Sequence, residues 1–301
     1  MFQAKLIVTG DDFGYCPQRN QGIVECFLAG AVSNVSLLVN GSAAADAAKL
    51  ATRASETRAV SGLFGMNIEP LGTWCWKEHH LTHCIQRNRK VQSRSRTLLC
   101  PVKQELKAQV DLFHELTGHL PPHMDGHQHI HVLPKVRHVF AEVLEEYGIE
   151  YTRVPIEPGL HNCDWIEPSL MDFYVGVEED SLKTVDVFTK HGIRWPDIYI
   201  GLSTMGKNMS VSAIQNAIDT AIVEFTSKMP AHPVPQRRTV TIELMVHPGY
   251  PSVPPIGGCG EGPDDFSQSW ERLHELQTLI RPELQSHYKT RNIQLCSFKD
   301  L

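Results

Sequence analysis

No apolar run in the chain approaches the ~20 residues needed to span a bilayer, so no membrane helix is expected. There is also no Cys-x-x-Cys pair. The eight cysteines (Cys16, Cys26, Cys75, Cys84, Cys100, Cys163, Cys259 and Cys296) are scattered through 301 residues. A zinc ribbon, a thioredoxin-like motif and a disulfide framework are therefore unsupported. Basic charge is not in excess: 28 Lys and Arg face 34 Asp and Glu, a formal net charge of −6. That balance argues against a nucleic-acid binder working through a broad basic face. No Gly-x-Gly-x-x-Gly follows the first strand-like run, and the glycine-rich stretch 256–263 lacks the Lys-Ser/Thr of a phosphate loop. Dinucleotide and nucleotide binding are accordingly disfavoured. The N-terminal run has neither the basic start nor the small-residue cleavage site of a signal peptide. A cytoplasmic chain is expected, with the nucleus as the other compartment that fits.

What is present is an ordinary globular composition, 42% hydrophobic and 21% charged, with one concentrated feature. Ten of the 16 histidines lie between His79 and His138. Imidazole is the commonest metal ligand and general acid/base at neutral pH, so the clustering points to chemistry.

Short β-rich runs alternate with helical stretches. Strands are expected at 5–10, 35–39, 60–66, 123–126, 151–154, 197–202, 239–246 and 293–297. Between them, helices are expected at 22–29, 42–58, 103–116, 134–147, around 171–175, after Ser210, and at 270–280. In 134–147 the apolar residues fall at helical spacing, with Pro134 placed to start the helix and Gly148 to end it. About eight β-α units predict a parallel sheet closed into a distorted, TIM-like (β/α) barrel forming one domain over 1–301. An open doubly wound sheet is the alternative. The stretch 73–104 carries seven Lys or Arg against the single acid Glu78 and shows no periodicity. It reads as a basic, irregular insertion, either a solvated loop or a contact surface for an anionic partner.

Barrels of this kind collect their chemistry at the C-terminal ends of the strands. The polar clusters fall there. Asp11-Asp12 follows the first strand, and two adjacent carboxylates are compatible when a cation or a proton separates their roles. With a metal bound, one can ligate while the other stays free as a base. His123-Met124-Asp125-Gly126-His127-Gln128-His129-Ile130-His131 packs four imidazoles and a carboxylate into nine residues. His127, at the strand exit, is placed for a metal, and the later imidazoles for orienting it. Arg153 offers a cation to fix a neighbouring carboxylate. His247, before Pro248-Gly249, is a candidate general acid or a structural turn.

Thr-Gly-Asp-Asp-Phe-Gly-Tyr near the start, His-Met-Asp-Gly-His-Gln-His-Ile-His in the middle and Met-Val-His-Pro-Gly-Tyr late in the chain resemble the YdjC family of carbohydrate deacetylases. The animal homologues are most similar, through Asn34–Gly41, Arg194–Asp197 and Gly257–Phe266. The resemblance implies a distorted barrel, a divalent ion described as magnesium, and removal of acetyl groups from sugars such as chitooligosaccharides. By similarity to the more distant NodB-type deacetylases, Asp11 would be the base, Asp12 and His127 metal ligands, His247 the acid and Arg153 the residue orienting the base. Zinc and manganese suit such donors almost equally. One departure stands out. The family has Gly-Leu-His-x-Asn-Leu after the third strand, its histidine completing the metal site. Here Gly62-Leu63-Phe64-Gly65-Met66-Asn67-Ile68 puts Phe64 or Gly65 at that position, with Gly65 the better match; His79, His80 or His83 could stand in. The expected partner is an acetylated oligosaccharide, with a homodimer left open. A barrel that binds sugar but has lost its metal, and a metal phosphoesterase, are the competing functions.

Overall fold

The computed structural model describes residues 3–58, 64–68, 95–228, 239–260 and 262–301. Its elements run β1 (Gln3–Phe13), α1 (Pro17–Leu28), β2 (Asn34–Leu38), α2 (Ala44–Arg58), β3 (Phe64–Ile68), α3 (Ser95–Thr117), β4 (Met124–Gly126) and α4 (Arg137–Tyr147). Then follow α5 (Pro168–Leu182), α6 (Val185–Lys190), β5 (Ile198–Ile200), α7 (Val211–Ser227), β6 (Thr239–Val246), α8 (Asp265–Gln268), α9 (Glu271–Leu279), α10 (Pro282–Thr290) and β7 (Ile293–Leu295).

All strand pairs are parallel, in the order β4-β3-β2-β1-β6-β5. β6 occupies one side of β1 along residues 3–10, so β7 and β2 share the other side, β7 at residues 4–6 and β2 from Thr9 onward. That shared edge is one source of the distortion. The gap between β4 and β5 is crossed by two isolated bridges, His123↔Tyr151 and Tyr151↔Arg194. The expected strand 151–154 thus shrinks to one bridging residue. Pro155 has no N–H to continue a ladder, and the Arg153 side chain is drawn to carboxylates instead. The result is a curled, distorted α/β barrel, as the alternation of elements implied.

Alternation along the strands separates two environments. Leu6, Val8, Val35, Leu37, Met66, Met124, Ile198, Ile200, Ile242 and Leu244 face the helices and form the main core. The opposite face carries Thr9, Asp11, Asn34, Ser36, Asn67, His123, Asp125 and Glu243, all buried. The barrel interior is therefore polar, floored by Ile7, Tyr151 and Phe298. In α2 the core side is built from Ala47, Ala51 and Ala54. Ser210 caps α7 as expected, its Oγ accepting from Ala213 N at 3.0 Å.

Two further expectations change. The helix expected from residue 103 begins at Ser95, so the last part of the 73–104 stretch is helical and not irregular; residues 73–94, with His79, His80 and His83, lie outside the described residues. The helix expected from Pro134 starts at Arg137, after a turn in which Val136 N and Arg137 N both bond to Leu133 O. Among the described residues, no helix is long and apolar enough to cross a membrane.

Candidate active site

The end of β1 bends between two adjacent carboxylates. Asp12 has φ +64°, a left-handed conformation that is uncommon outside glycine, and the β1–β2 register shifts between Gly10 and Phe13. The bend sends the two side chains to different partners. Asp11 receives a two-pronged contact from Arg153, Nη1 to Oδ2 at 2.5 Å and Nη2 to Oδ1 at 2.9 Å. Asp12 Oδ1 lies 2.9 Å from His127 Nδ1.

Arg153 is 1% exposed and sits among three carboxylates. Besides Asp11 it donates from Nη2 to Glu243 Oε1 at 2.7 Å and from Nε to the same oxygen at 3.2 Å. Its Nη2 also lies 3.3 Å from Asp125 Oδ2. Thr9 Oγ1 donates to Glu243 at 2.9 Å, and Ser36 Oγ lies 2.8 and 2.9 Å from the two Asp125 oxygens. Planar guanidinium geometry suits such shared carboxylate recognition. One buried cation cannot neutralise three carboxylates. Burial, with Asp125 and Asp12 adding to it, drives the Asp11 pKa upward against the pull of Arg153. Burial also opposes ionisation of Asp125, but Arg153 and His123 outweigh it and hold that carboxyl low. At Asp12 burial is overcome by the charge and hydrogen bond of His127, helped by His247 and Arg19, so it stays well below the usual carboxylate range. Asp11 is thus the more readily protonated of the two carboxylates, and Asp12 the one that stays an anion.

His127 opens the turn after β4, and its side chain is 19% exposed. The imidazoles that follow turn elsewhere. His131 Nε2 lies 3.0 Å from the Arg153 carbonyl, and its ring packs on Phe140 and Phe188. His129, at φ +61°, meets Tyr199 edge to face. The expectation that both orient His127 is corrected: His131 fixes the main chain of Arg153, because the left-handed backbone at Gln128 and His129 turns the later residues away from the strand. His247 follows β6 and is 7% exposed. Its Nδ1 has no hydrogen-bond partner among the described residues. Burial, then Arg272, Arg19 and His127, push its pKa well down against the pull of Asp12.

Among the described residues, no side chain takes the place of the family's third metal ligand. Gly65, on β3, pairs with Ser36 of β2 and lies on the same face as Asn67, which pairs with Asp125. A Cβ at Gly65 would stand 1.8 Å from His123 Cε1 and 2.0 Å from its Nδ1. The imidazole of His123 fills the space a side chain at 65 would need. Among the described residues no three His, Cys, Asp or Glu side chains converge as a metal cage. Asp12 and His127 do meet, through the contact between Oδ1 and Nδ1. The amide of Asn67, fully buried on this face, has no hydrogen-bond partner among the described residues for either polar atom.

Sequence reasoning named Asp11, Asp12, His127, Arg153 and His247, and the fold gathers all five at one end of the barrel. It missed Glu243, whose Oε1 accepts from two nitrogens of Arg153. A lone acid inside the apolar run 239–246 was the signal for it. It also missed Glu275, which lies far along the chain in α9 and carries no local motif.

A polar-cored α/β barrel with paired aspartates at one strand exit and histidines at two others defines a class of barrel, and comparison places the chain within it. The family model described as YdjC-like protein matches residues 5–290, and the chain belongs to that family. It is 52% identical over 303 residues to a carbohydrate deacetylase of Xenopus laevis, covering 99% of this chain and 98% of that protein. It is 45% identical over 314 residues to a carbohydrate deacetylase of Homo sapiens, covering 99% and 91%. A solved structure from Enterococcus faecalis, provisionally named for cellobiose-phosphate cleavage, shares the fold. The two superpose with a TM-score of 0.65 at 18% identity, over 100% of this chain and 99% of the other.

Proposed function

We propose that the chain is a carbohydrate deacetylase that hydrolyses the acetamide of an N-acetylated sugar. The observation that carries this reading is the division between adjacent aspartates, Asp11 held by Arg153 and Asp12 joined to His127. The names of relatives at 45–52% identity over 99% of the chain support the substrate class.

Amide hydrolysis needs a proton taken from water and a proton given to the leaving amine. Asp11 accepts the first. Its raised pKa makes it a better base than an ordinary aspartate, and the two-pronged guanidinium fixes the direction of its oxygens. His247 supplies the second. Its depressed pKa reduces the protonated fraction but makes the protonated ring a stronger acid. Asp12 and His127 would hold a divalent ion, for which we propose magnesium, with manganese or zinc as the alternatives. When bound, such an ion makes water more acidic and polarises a carbonyl. Magnesium suits two side chains best because it commonly retains several waters, and binding weaker than in a three-ligand site is expected.

The reading is tested by incubating the purified chain with a panel of N-acetylated sugars and added Mg²⁺, Mn²⁺ or Zn²⁺. Acetate and free amine should appear in equal amounts. Release of phosphate from model esters without acetate release would point to a phosphoesterase. The absent side chain at Gly65 favours a second reading, a sugar-binding barrel without turnover. Saturable binding of an N-acetylated sugar with no acetate under any metal would establish it.

A further inference from the structure

The ring of His247 lacks the partner that usually orients a catalytic imidazole. In many sites the second ring nitrogen is fixed by a carboxylate or a carbonyl; here Nδ1 is buried without a hydrogen bond to any described residue. The main chain of His247 is held on both sides instead. Its N–H donates to Glu275 Oε2 at 2.6 Å. Its carbonyl accepts from Arg19 Nη1 at 2.8 Å and from Arg272 Nη1 at 3.3 Å. Glu275 and Arg272 are both 0% exposed and come from α9, one turn apart, with Arg272 Nη2 3.2 Å from Glu275 Oε1. The same Oε1 also accepts from Gly206 N at 2.8 Å. One carboxylate therefore joins the chain after β5 to the chain after β6. Arg272 reaches further, its guanidinium carbon 3.5 Å from the centre of the Phe266 ring, and Phe266 meets the His247 imidazole edge to face at 5.6 Å.

We infer that Glu275 is a positioning residue for His247, acting with Arg272 through the backbone and through Phe266 to aim an imidazole that no side chain hydrogen-bonds. This rests on the acid role proposed for His247. A buried carboxylate accepting two backbone N–H groups is a strong, directional anchor. Held from above by Phe266 and from behind by α9, the ring keeps one orientation without a second polar contact. Loosening the anchor leaves the imidazole present but misaimed, and only the step that needs its proton slows.

The test uses the full chain with magnesium present and two substrates, di-N-acetylchitobiose, whose amine must be protonated to leave, and 4-nitrophenyl acetate, whose leaving group needs no proton. In Glu275→Ala, kcat on the amide should fall by on the order of 10²-fold, toward the loss expected of a missing general acid. KM should hold, and the ester rate should change only a few-fold. Glu275→Gln, whose amide oxygen still accepts one N–H, should recover a large part of the amide rate. If Glu275→Ala does not fold, Glu275→Gln decides the matter through a smaller loss, still confined to the amide. Equal loss on both substrates, or no loss on the amide, would overturn the inference. A second readout does not depend on deacetylation. In ¹³C-histidine spectra the His247 signal, identified by its disappearance in His247→Ala, should shift in Glu275→Gln. An unmoved signal in the folded variant would overturn the positioning role even if the parent released no acetate from any sugar.

Discussion

The backbone of Gly65 lies directly against the imidazole of His123, close enough that a methyl group at 65 would stand 1.8 Å from His123 Cε1. His123 is itself fully buried and stacked on Phe298, ring centres 4.1 Å apart. The ring cannot withdraw without breaking that floor. The one place where a family histidine was expected has been given over to a different histidine from the neighbouring strand.

This changes what a restoring substitution can do. The sequence alone makes Gly65→His a way to strengthen metal binding, whereas in the fold it overpacks the interior. Overpacking of this kind costs roughly 1–3 kcal/mol or more. Gly65→His should lower the unfolding midpoint without tightening metal binding. Pairing it with His123→Ala should recover part of the stability and let the new imidazole face Asp12 and His127. Thermal unfolding and metal titration of the parent, Gly65→His and the double variant provide the check, and a Gly65→His chain as stable as the parent would show that His123 yields easily.

The acid role of His247 separates substrates by leaving group. His247→Ala should reduce amide hydrolysis by a factor on the order of 10²–10⁴ and leave an activated aryl ester nearly untouched. Matching losses on both would assign His247 to the structure of the turn before Pro248-Gly249.

Glu157 gives a pH dependence of stability outside the metal-binding residues. It is buried, and its carboxylate accepts from Gly201 N at 3.1 Å, Leu202 N at 2.6 Å and Ser203 N at 3.2 Å, as well as from Ser203 Oγ. Burial outweighs these bonds and pushes its pKa up from 4.5 to about 7. Below the unfolded value both states are protonated and this contribution is fully present. As pH rises toward 7 the unfolded chain ionises first and stability is lost, by an amount on the order of 3 kcal/mol. Urea unfolding at pH 5 and pH 8 should show this fall in the parent and a smaller one in Glu157→Gln. A parent that gains relative stability across the same interval would mean the hydrogen bonds dominate.

How much of this was legible in the sequence depends on whether the signal is local. Asp11, Asp12, His127 and His247 sit at strand exits, where chain order alone tells which end of a barrel they reach. The parallel sheet followed from alternation, and the Ser210 cap from its residue type. The partners of Arg153 were not legible, because Asp11, Asp125 and Glu243 come from three strands and meet it only once the sheet curls. The same holds for Glu275, 28 residues beyond the histidine whose N–H it accepts. The strand expected at 151–154 failed for a local reason, Pro155, that the sequence did display. The occupation of the Gly65 space by His123 needed the register of β3 against β4, which no single-strand pattern reveals.

The division of labour between Asp11 and Asp12 is most directly tested by measuring bound metal and acetate release on the same preparations of Asp11→Asn and Asp12→Asn. Asp11→Asn should retain its metal and lose turnover by on the order of 10²–10⁴, since it removes the proton acceptor that Arg153 aims. Asp12→Asn should lose the metal and its turnover together, because it removes one of the two donors proposed among the described residues. Equal metal loss in both variants would contradict this assignment, make the pair a single ligand set, and leave the base to be found elsewhere.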